Sequence, residues 1–281
     1  MGIFGKIVLQ SGMGSIDLTL LQNYVVILLL FAYYAVMRLR PLKLTLQDLK
    51  SILLQGLLGS APVFIFYYLC LEHINASVAC LLLFTNPIFI TVYFIVFEGQ
   101  KNSWQKMLAI AMALIGSIFV LNIMPGNIGK LDLLGIFFGV VSSISYAFYN
   151  VHAEKKLTKY QPGVILFYCS IVVAAAASVL NPGFYKLGFI NNYKAVYLTV
   201  IIAVVSGILP VVFLYKSIGI LGAQIVSVAA TLEIPITMLM SVLILGERLS
   251  MIQLIGSMLI IASIILLKQC ENGSETAPDS E

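Results

Sequence analysis

The sequence predicts an all-α polytopic membrane protein: an inverted repeat of two five-helix halves, ten helices with the first one truncated. Three observations lead there: a composition too apolar for a soluble domain, charges confined to breaks between membrane-length runs, and a self-match at one fixed shift. Of 281 residues, 60% are hydrophobic and only 10% charged, and the mean hydropathy is +1.03. Soluble domains carry roughly a quarter charged residues. Here the few charges punctuate apolar runs of about 17 to 23 residues, the length that crosses a bilayer.

The net charge of +4 comes from 16 basic and 12 acidic residues, and no basic run exceeds two residues, so nucleic acid has no electrostatic footprint on the chain. Cys70, Cys80, Cys169 and Cys270 have no CxxC spacing, and the first three lie in apolar runs where they act as small hydrophobes. No disulfide framework or zinc site follows. HExxH, GxSxG and Walker patterns are absent from the sequence, as are paired intramembrane aspartates, so an enzyme is not expected. No cofactor is expected either.

Along the chain, "MGIFGKIVLQSGMGS" lacks the basic start and cleavage site of a signal peptide and is too short to span. It reads as the end of an interrupted first helix. Nine full spans follow, at about 18–37, 49–71, 76–97, 104–123, 133–151, 163–180, 197–215, 223–245 and 251–267. The break from Asn181, "NPGFYKLGFINNYKA", is expected along the interface. "GER" at 246 to 248 ends a span as a structural corner, and the polar residues 269–281 read as a disordered tail.

Lys and Arg set the orientation. Arg38, Arg40, Lys43, Lys50, Lys101, Lys106, Lys155, Lys156, Lys159, Lys216 and Lys268 fall on one side, against Lys130, Lys186, Lys194 and Arg248 on the other. The richer side is the cytoplasm, which places the carboxy terminus inside. The expected location is a bacterial cytoplasmic membrane.

Shifting the chain against itself by 148 residues superposes Pro62 on Pro210, Val63 on Val211, Tyr67 on Tyr215, Pro87 on Pro235, Ile88 on Ile236 and Gln105 on Gln253, without a gap. The shift moves each span five places along, an odd number, so equivalent spans cross in opposite senses. The repeats are expected at 1–124 and 131–268. Inverted repeats with broken helices near the midplane give secondary transporters two interconvertible faces.

The pattern "EIPITMLMSVLILGER" in the second half and its weaker partner "NPIFITVYFIVFEGQK" in the first carry a family resemblance. The chain resembles an EamA-type member of the drug/metabolite transporter superfamily over nearly its whole length. That likeness implies ten helices with both ends cytoplasmic, a cavity between the repeats, and movement of small organic metabolites, commonly outward. Two departures stand out: Ile234 separates Glu233 from Pro235, and Gly99 with Gln100 replace the usual Gly-Glu.

Glu233 lies about ten residues from each end of its span, roughly 15 Å deep on either side, where a carboxylate costs a few kcal/mol or more. Either it lines a cavity or it is a protonated acid bonded to a neighbouring helix. Pro87 and Pro235 are expected to kink their helices, freeing the carbonyls of Leu83 and Thr231, which are tolerable where they line a cavity or meet side-chain donors. Thr85 and Asn86 sit at matching depth, so a polar patch is expected at the symmetry axis.

Tyr67, Tyr215, Tyr149 and Asn150 complete the expected substrate cavity, with Tyr146, Gln22 and Asn23 at similar depth. Aromatic faces and hydroxyls suit a zwitterionic or aromatic metabolite. Gly135, Gly139, Ser143 and Ala147 form a small-residue stripe for helix packing. His73 and His152, at helix ends, are expected to be solvated.

The leading function is a secondary transporter of small metabolites, an exporter. Its rivals are a proton-coupled antiporter using Glu233 and a non-transporting structural or assembly subunit. Expected partners are a small-molecule substrate such as an amino acid, the lipid bilayer and no nucleic acid; a homodimer is compatible with the sequence.

Overall fold

Twelve α-helices, joined in places by π and 3₁₀ segments, make up the computed structural model, which describes residues 2–10, 12–36, 45–100, 104–121, 132–181, 193–236, 239 and 250–275. The helices are α1 (Gly2–Gln10), α2 (Ser15–Val36), α3 (Leu46–Leu54), α4 (Ala61–His73), α5 (Ala76–Leu83), α6 (Asn86–Glu98), α7 (Trp104–Val120), α8 (Leu133–His152), α9 (Pro162–Leu180), α10 (Tyr193–Ile201), α11 (Leu209–Ala229) and α12 (Met251–Glu275). Among the described residues, seven helical stretches are long and apolar enough to cross a membrane, and one of them, Ala195–Ile236, has 42 residues. That stretch is interrupted at Gly222, whose φ of 78° and ψ of 163° only glycine adopts without strain.

The inversion is visible in how helices meet their own equivalents. Helix α2 packs against α9, its counterpart under the 148-residue shift. Asn181 at the end of α9 donates to Asp17 at the start of α2, whereas Tyr34 near the end of α2 meets Phe167 near the start of α9, ring centres 6.5 Å apart. The two therefore run antiparallel. Helices α7 and α12 do the same: Gln253 near the start of α12 donates to the carbonyl of Val120 at the end of α7.

Close approach is bought with small residues, because without a hydrophobic driving force in lipid the contact relies on packing. A Cβ on Gly116 would stand 2.7 Å from the carbonyl oxygen of Gly256, and one on Gly256 would stand 2.6 Å from that of Gly116. On α8, a Cβ at Gly135 would meet Ile74 at 2.7 Å and one at Gly139 would meet Leu82 at 2.5 Å. The small-residue stripe is thus a packing face toward α4 and α5, as its spacing suggested.

The repeat also shows in the breaks. A π segment, Gln55–Ser60, precedes Pro62, and a second, Ile202–Ile208, precedes Pro210. Both prolines lie inside a continuous helical stretch, just after the widened π turn, where the regular backbone bonding is already shifted and the missing N–H costs less. Pro87 follows a turn at Phe84 and Thr85 and occupies the first turn of α6, and Pro235 follows the 3₁₀ segment Ala230–Leu232.

Several polar residues inside the spans keep their hydrogens bonded within their own helix. Thr19 donates to the carbonyl of Ser15, Asn23 to Thr19, Ser117 to Ala113, Ser178 to Ala174 and Thr199 to Ala195, at 2.7 to 2.9 Å. This is how hydroxyls and amides survive where no water is at hand.

One expectation shifts. Helix α12 continues to Glu275, so part of the segment expected as a disordered tail is helical. The interfacial break at 182–192, the corner at 246–248 and residues 276–281 lie outside the described residues.

Candidate functional site

The two helix breaks face each other. Phe84, at the break between α5 and α6, shares a buried cluster with Ile234, next to Glu233, and with Val120 and Ile260. This contact is apolar, and the polar groups expected on the symmetry axis turn elsewhere. Thr85 donates to the carbonyl of Leu82 at 2.6 Å and shares a 2.8 Å hydrogen bond with Ser143 of α8. The Leu83 carbonyl, freed by Pro87, receives the Asn86 amide at 2.9 Å and the Ser143 hydroxyl at 3.2 Å. Thr85 thus holds the break shut against α8, and the interruption is nearly self-satisfied.

Asn86 is completely buried, yet its Oδ1 accepts no hydrogen bond from any described residue. Asn150 is equally buried: its amide nitrogen donates to the carbonyl of Tyr146 at 2.8 Å and its Oδ1 has no donor among the described residues. Neither amide can be turned over to cure this, since the nitrogen faces a carbonyl oxygen in both cases.

Glu233 follows the 3₁₀ segment with an exposed side chain, and Tyr67, Cys80 and Tyr146 feel its charge. These three come from α4, α5 and α8, so the acid is turned toward helices of both halves. Tyr67 is buried beside Tyr68, whose hydroxyl donates to Gln22 at 2.5 Å.

A second cluster lies toward the lysine-rich end, around the first π segment. Gln55, wholly buried, donates to the carbonyl of Tyr149 at 3.0 Å and to the hydroxyl of Tyr215 at 3.1 Å, and its own oxygen accepts from Nδ1 of His152 at 2.9 Å. The rings of Tyr149 and Tyr215 lie 5.3 Å apart, and Tyr146 stands 5.9 Å from Tyr149, linking this cluster to the breaks. A π turn widens the helix by one residue and points a side chain where an α-helix would not. That is how Gln55 reaches two helices of the other half.

His152 corrects an expectation: it is half-buried, bonded to Gln55 and stacked on Phe148 at 5.3 Å, not a solvated end residue. His73 does sit at the surface, in a 2.6 Å pair with Asp132. The backbone N–H of Leu134, and then His73, hold the Asp132 carboxyl below its ordinary pKa. Sequence reasoning missed Gln55 altogether. The available signal was a lone amide inside "LLQGLLG".

Beyond this cluster, further polar contacts lie at the same end, and all but that of Glu154 join the two halves. Lys155 pairs with Glu98 and lies over the rings of Tyr93 and Phe94. Glu154 accepts from the backbone N–H of Ala223 at 2.6 Å, Gln224 donates to Gln100 at 3.2 Å, and Lys159 pairs with Asp48 at 3.2 Å. Each exposed pair contributes little alone. Together they close that end.

Residues 1–122 and 133–268 match, in two copies, the EamA-like transporter family. The chain belongs to that family. It is 28% identical over 208 residues to the uncharacterized transporter YcbK of Bacillus subtilis, an alignment covering 70% of this chain and 66% of that protein. It is 25% identical over 267 residues to the uncharacterized inner membrane transporter YicL of Salmonella typhimurium, covering 92% and 86%. An uncharacterized transporter of Clostridium kluyveri is 26% identical over 82% of this chain and 75% of its own length. One solved crystal structure superposes with a TM-score of 0.72 at 16% identity, covering 98% of this chain and 97% of that one, which shows a shared fold. The EamA-family chain described here is accordingly a multi-pass membrane protein of transporter type. Among its described residues no group of three or more His, Cys, Asp or Glu is placed to hold a metal ion.

Proposed function

We propose that this EamA-family chain is a secondary transporter that exports small organic metabolites, amino acids or similar solutes, across a bacterial cytoplasmic membrane. Access alternates between the two faces as the inverted halves rock about the meeting point of their helix breaks. The observation that carries this reading is the facing of the two interruptions, Phe84 against Ile234, with Glu233, Tyr67 and Tyr146 around them. Unbroken helices bond their backbone groups internally; interrupted ones leave some of them free, where protein or a cavity can shelter them.

The lysine-rich end, where Gln55, Glu98 and Asp48 reach across the halves, is the cytoplasmic end, and the carboxy terminus lies on that side. Substrate then enters from the cytoplasm once these contacts part. The cavity is formed by Glu233, Asn86, Tyr67, Tyr215, Tyr149 and Asn150, with Thr85 as the fastening of the break.

Purified protein in vesicles, tested with a panel of amino acids and related solutes with and without a pH gradient, is the deciding experiment. Uptake of at least one solute is expected, and none by any solute would favour a non-transporting membrane subunit. If Glu233→Gln abolishes gradient-driven but not passive exchange, the acid couples transport to protons; equal loss of both assigns it to binding alone.

A further inference from the structure

The polar groups that the breaks leave unmatched are all of one kind. Asn86 donates to the Leu83 carbonyl at the end of α5 and Asn150 to the Tyr146 carbonyl of its own helix, and each retains a buried oxygen that accepts nothing from a described residue. Both lie along one stretch of α8: Asn86 shares the Leu83 carbonyl with Ser143, and Asn150 stands two helical turns farther on, about 10 Å away. Glu233 is next to Ile234, which packs in one cluster with Phe84, two residues before Asn86. Two neutral acceptors and an acid therefore line the same segment.

From this we infer that the solute presents several N–H donors on a positively charged group, a primary ammonium or a guanidinium, and that an anionic or donor-free solute is rejected. The inference rests on the transport reading above and narrows its substrate class. An acceptor left without a donor in a medium of low dielectric is costly, and a ligand N–H relieves that cost where a carboxylate or a methyl group would add to it. The aromatic rings of Tyr146, Tyr149 and Tyr215 add a face that favours cations. Both oxygens are sealed in this conformation, so the solute reaches them only as the α5–α6 break moves off α8. A solute that pairs with them in the opened state binds the two states unequally, which is what lets it shift the equilibrium.

The test uses the full chain in lipid nanodiscs and three probes of one shape: phenethylamine, its trimethylammonium analogue and 3-phenylpropionate. Calorimetry is expected to rank the amine first, the quaternary cation weaker and the carboxylate last. Asn86→Leu and Asn150→Leu should each weaken the amine about tenfold, the usual consequence of losing one buried hydrogen bond, and leave the quaternary cation unchanged. The unchanged quaternary cation also reports that each variant is folded. The Leu83 carbonyl keeps its bond from Ser143 in the first variant. Glu233→Gln should weaken both cations. Carboxylate binding as tight as the amine, amine affinity indifferent to both asparagine variants, or no amine binding at all overturns the inference. Vesicle uptake of some other solute would then leave the transport reading standing, whereas amine binding without any uptake would remove transport and keep the site.

Discussion

The two π segments, Gln55–Ser60 and Ile202–Ile208, have the same place in their repeats and the same proline after them, yet different surroundings. In the first, Gln55 makes three hydrogen bonds to helices of the other half. In the second, the matching position is Ala203, which is buried but has no side chain to donate or accept. Backbone symmetry is thus kept while the polar contacts are not. The corners that follow repeat the lesson. Lys6 donates to the carbonyls of Leu71 and Ile74 where α4 ends, and its equivalent under the shift, Glu154, accepts from the N–H of Ala223 where the chain restarts. Each charge suits the end of the helix it meets: a cation at carbonyls, an anion at N–H groups. Two identical halves would present equal faces; here Gln55 fastens one π segment, while Ala203 has no polar side chain to fasten the other.

Breaking the fastening should have the largest effect. Gln55→Leu removes three hydrogen bonds at roughly 0.6 to 1 kcal/mol each, so a loss of about 2 to 3 kcal/mol is expected in thermal unfolding of the solubilised protein. Ala203→Ser in the other π segment should change stability by less than half as much; an equal loss would show that the two segments are equivalent after all.

Gly56 comes next. A Cβ there would stand 2.6 Å from Val172 on α9, and Gly56→Ala is expected to destabilise by about 1 to 3 kcal/mol through overpacking. A melting temperature unchanged from the parent would contradict that crowding.

The equivalent glycines Gly59 and Gly207 allow a finer comparison. An added Cβ meets the Tyr149 backbone at 3.3 Å in the first, whereas in the second its nearest neighbours are the ends of the Gln22 and Val26 side chains, both at 3.5 Å. Gly59→Ala should therefore cost about 1 kcal/mol, while Gly207→Ala should be neutral or stabilising by up to about 1 kcal/mol, since alanine is the better helix former. The reverse order, read by the same melts, would refute the asymmetry.

The smallest effect belongs to the opposite end. Asp132 has its folded pKa depressed by the Leu134 N–H and His73, so its stabilising contribution is complete above the unfolded value near 3.8 and disappears as pH falls through the lower folded value. Acid unfolding curves of the parent and Asp132→Asn should converge at the lowest pH and separate slightly above it. Divergence on acidification would reverse the sign of the linkage.

Much of this was legible in the residues. The apolar runs gave a membrane protein, with seven helical stretches of crossing length among the described residues, because hydropathy reports the solvent directly, and the paired prolines gave the repeat because rare residues at one fixed offset have no other source. Glu233, Asn86, Tyr67 and Tyr215 could be picked out as groups that lipid disfavours. Gln55 and the buried place of His152 could not, because a π turn changes the direction in which a side chain leaves its helix and no periodicity announces it.

The sequence by itself determined that the chain belongs in a membrane and is built from two copies of one unit, since hydropathy and rare residues at one offset are properties of composition and order alone. Only the tertiary structure decided where the helices change their winding and which buried groups are left unmatched. Whether a carbonyl or amide finds a partner depends on what the neighbouring helix presents at that depth. Thr85 meets Ser143 across two helices 58 residues apart in the chain, while the oxygens of Asn86 and Asn150, equally buried, meet no donor among the described residues.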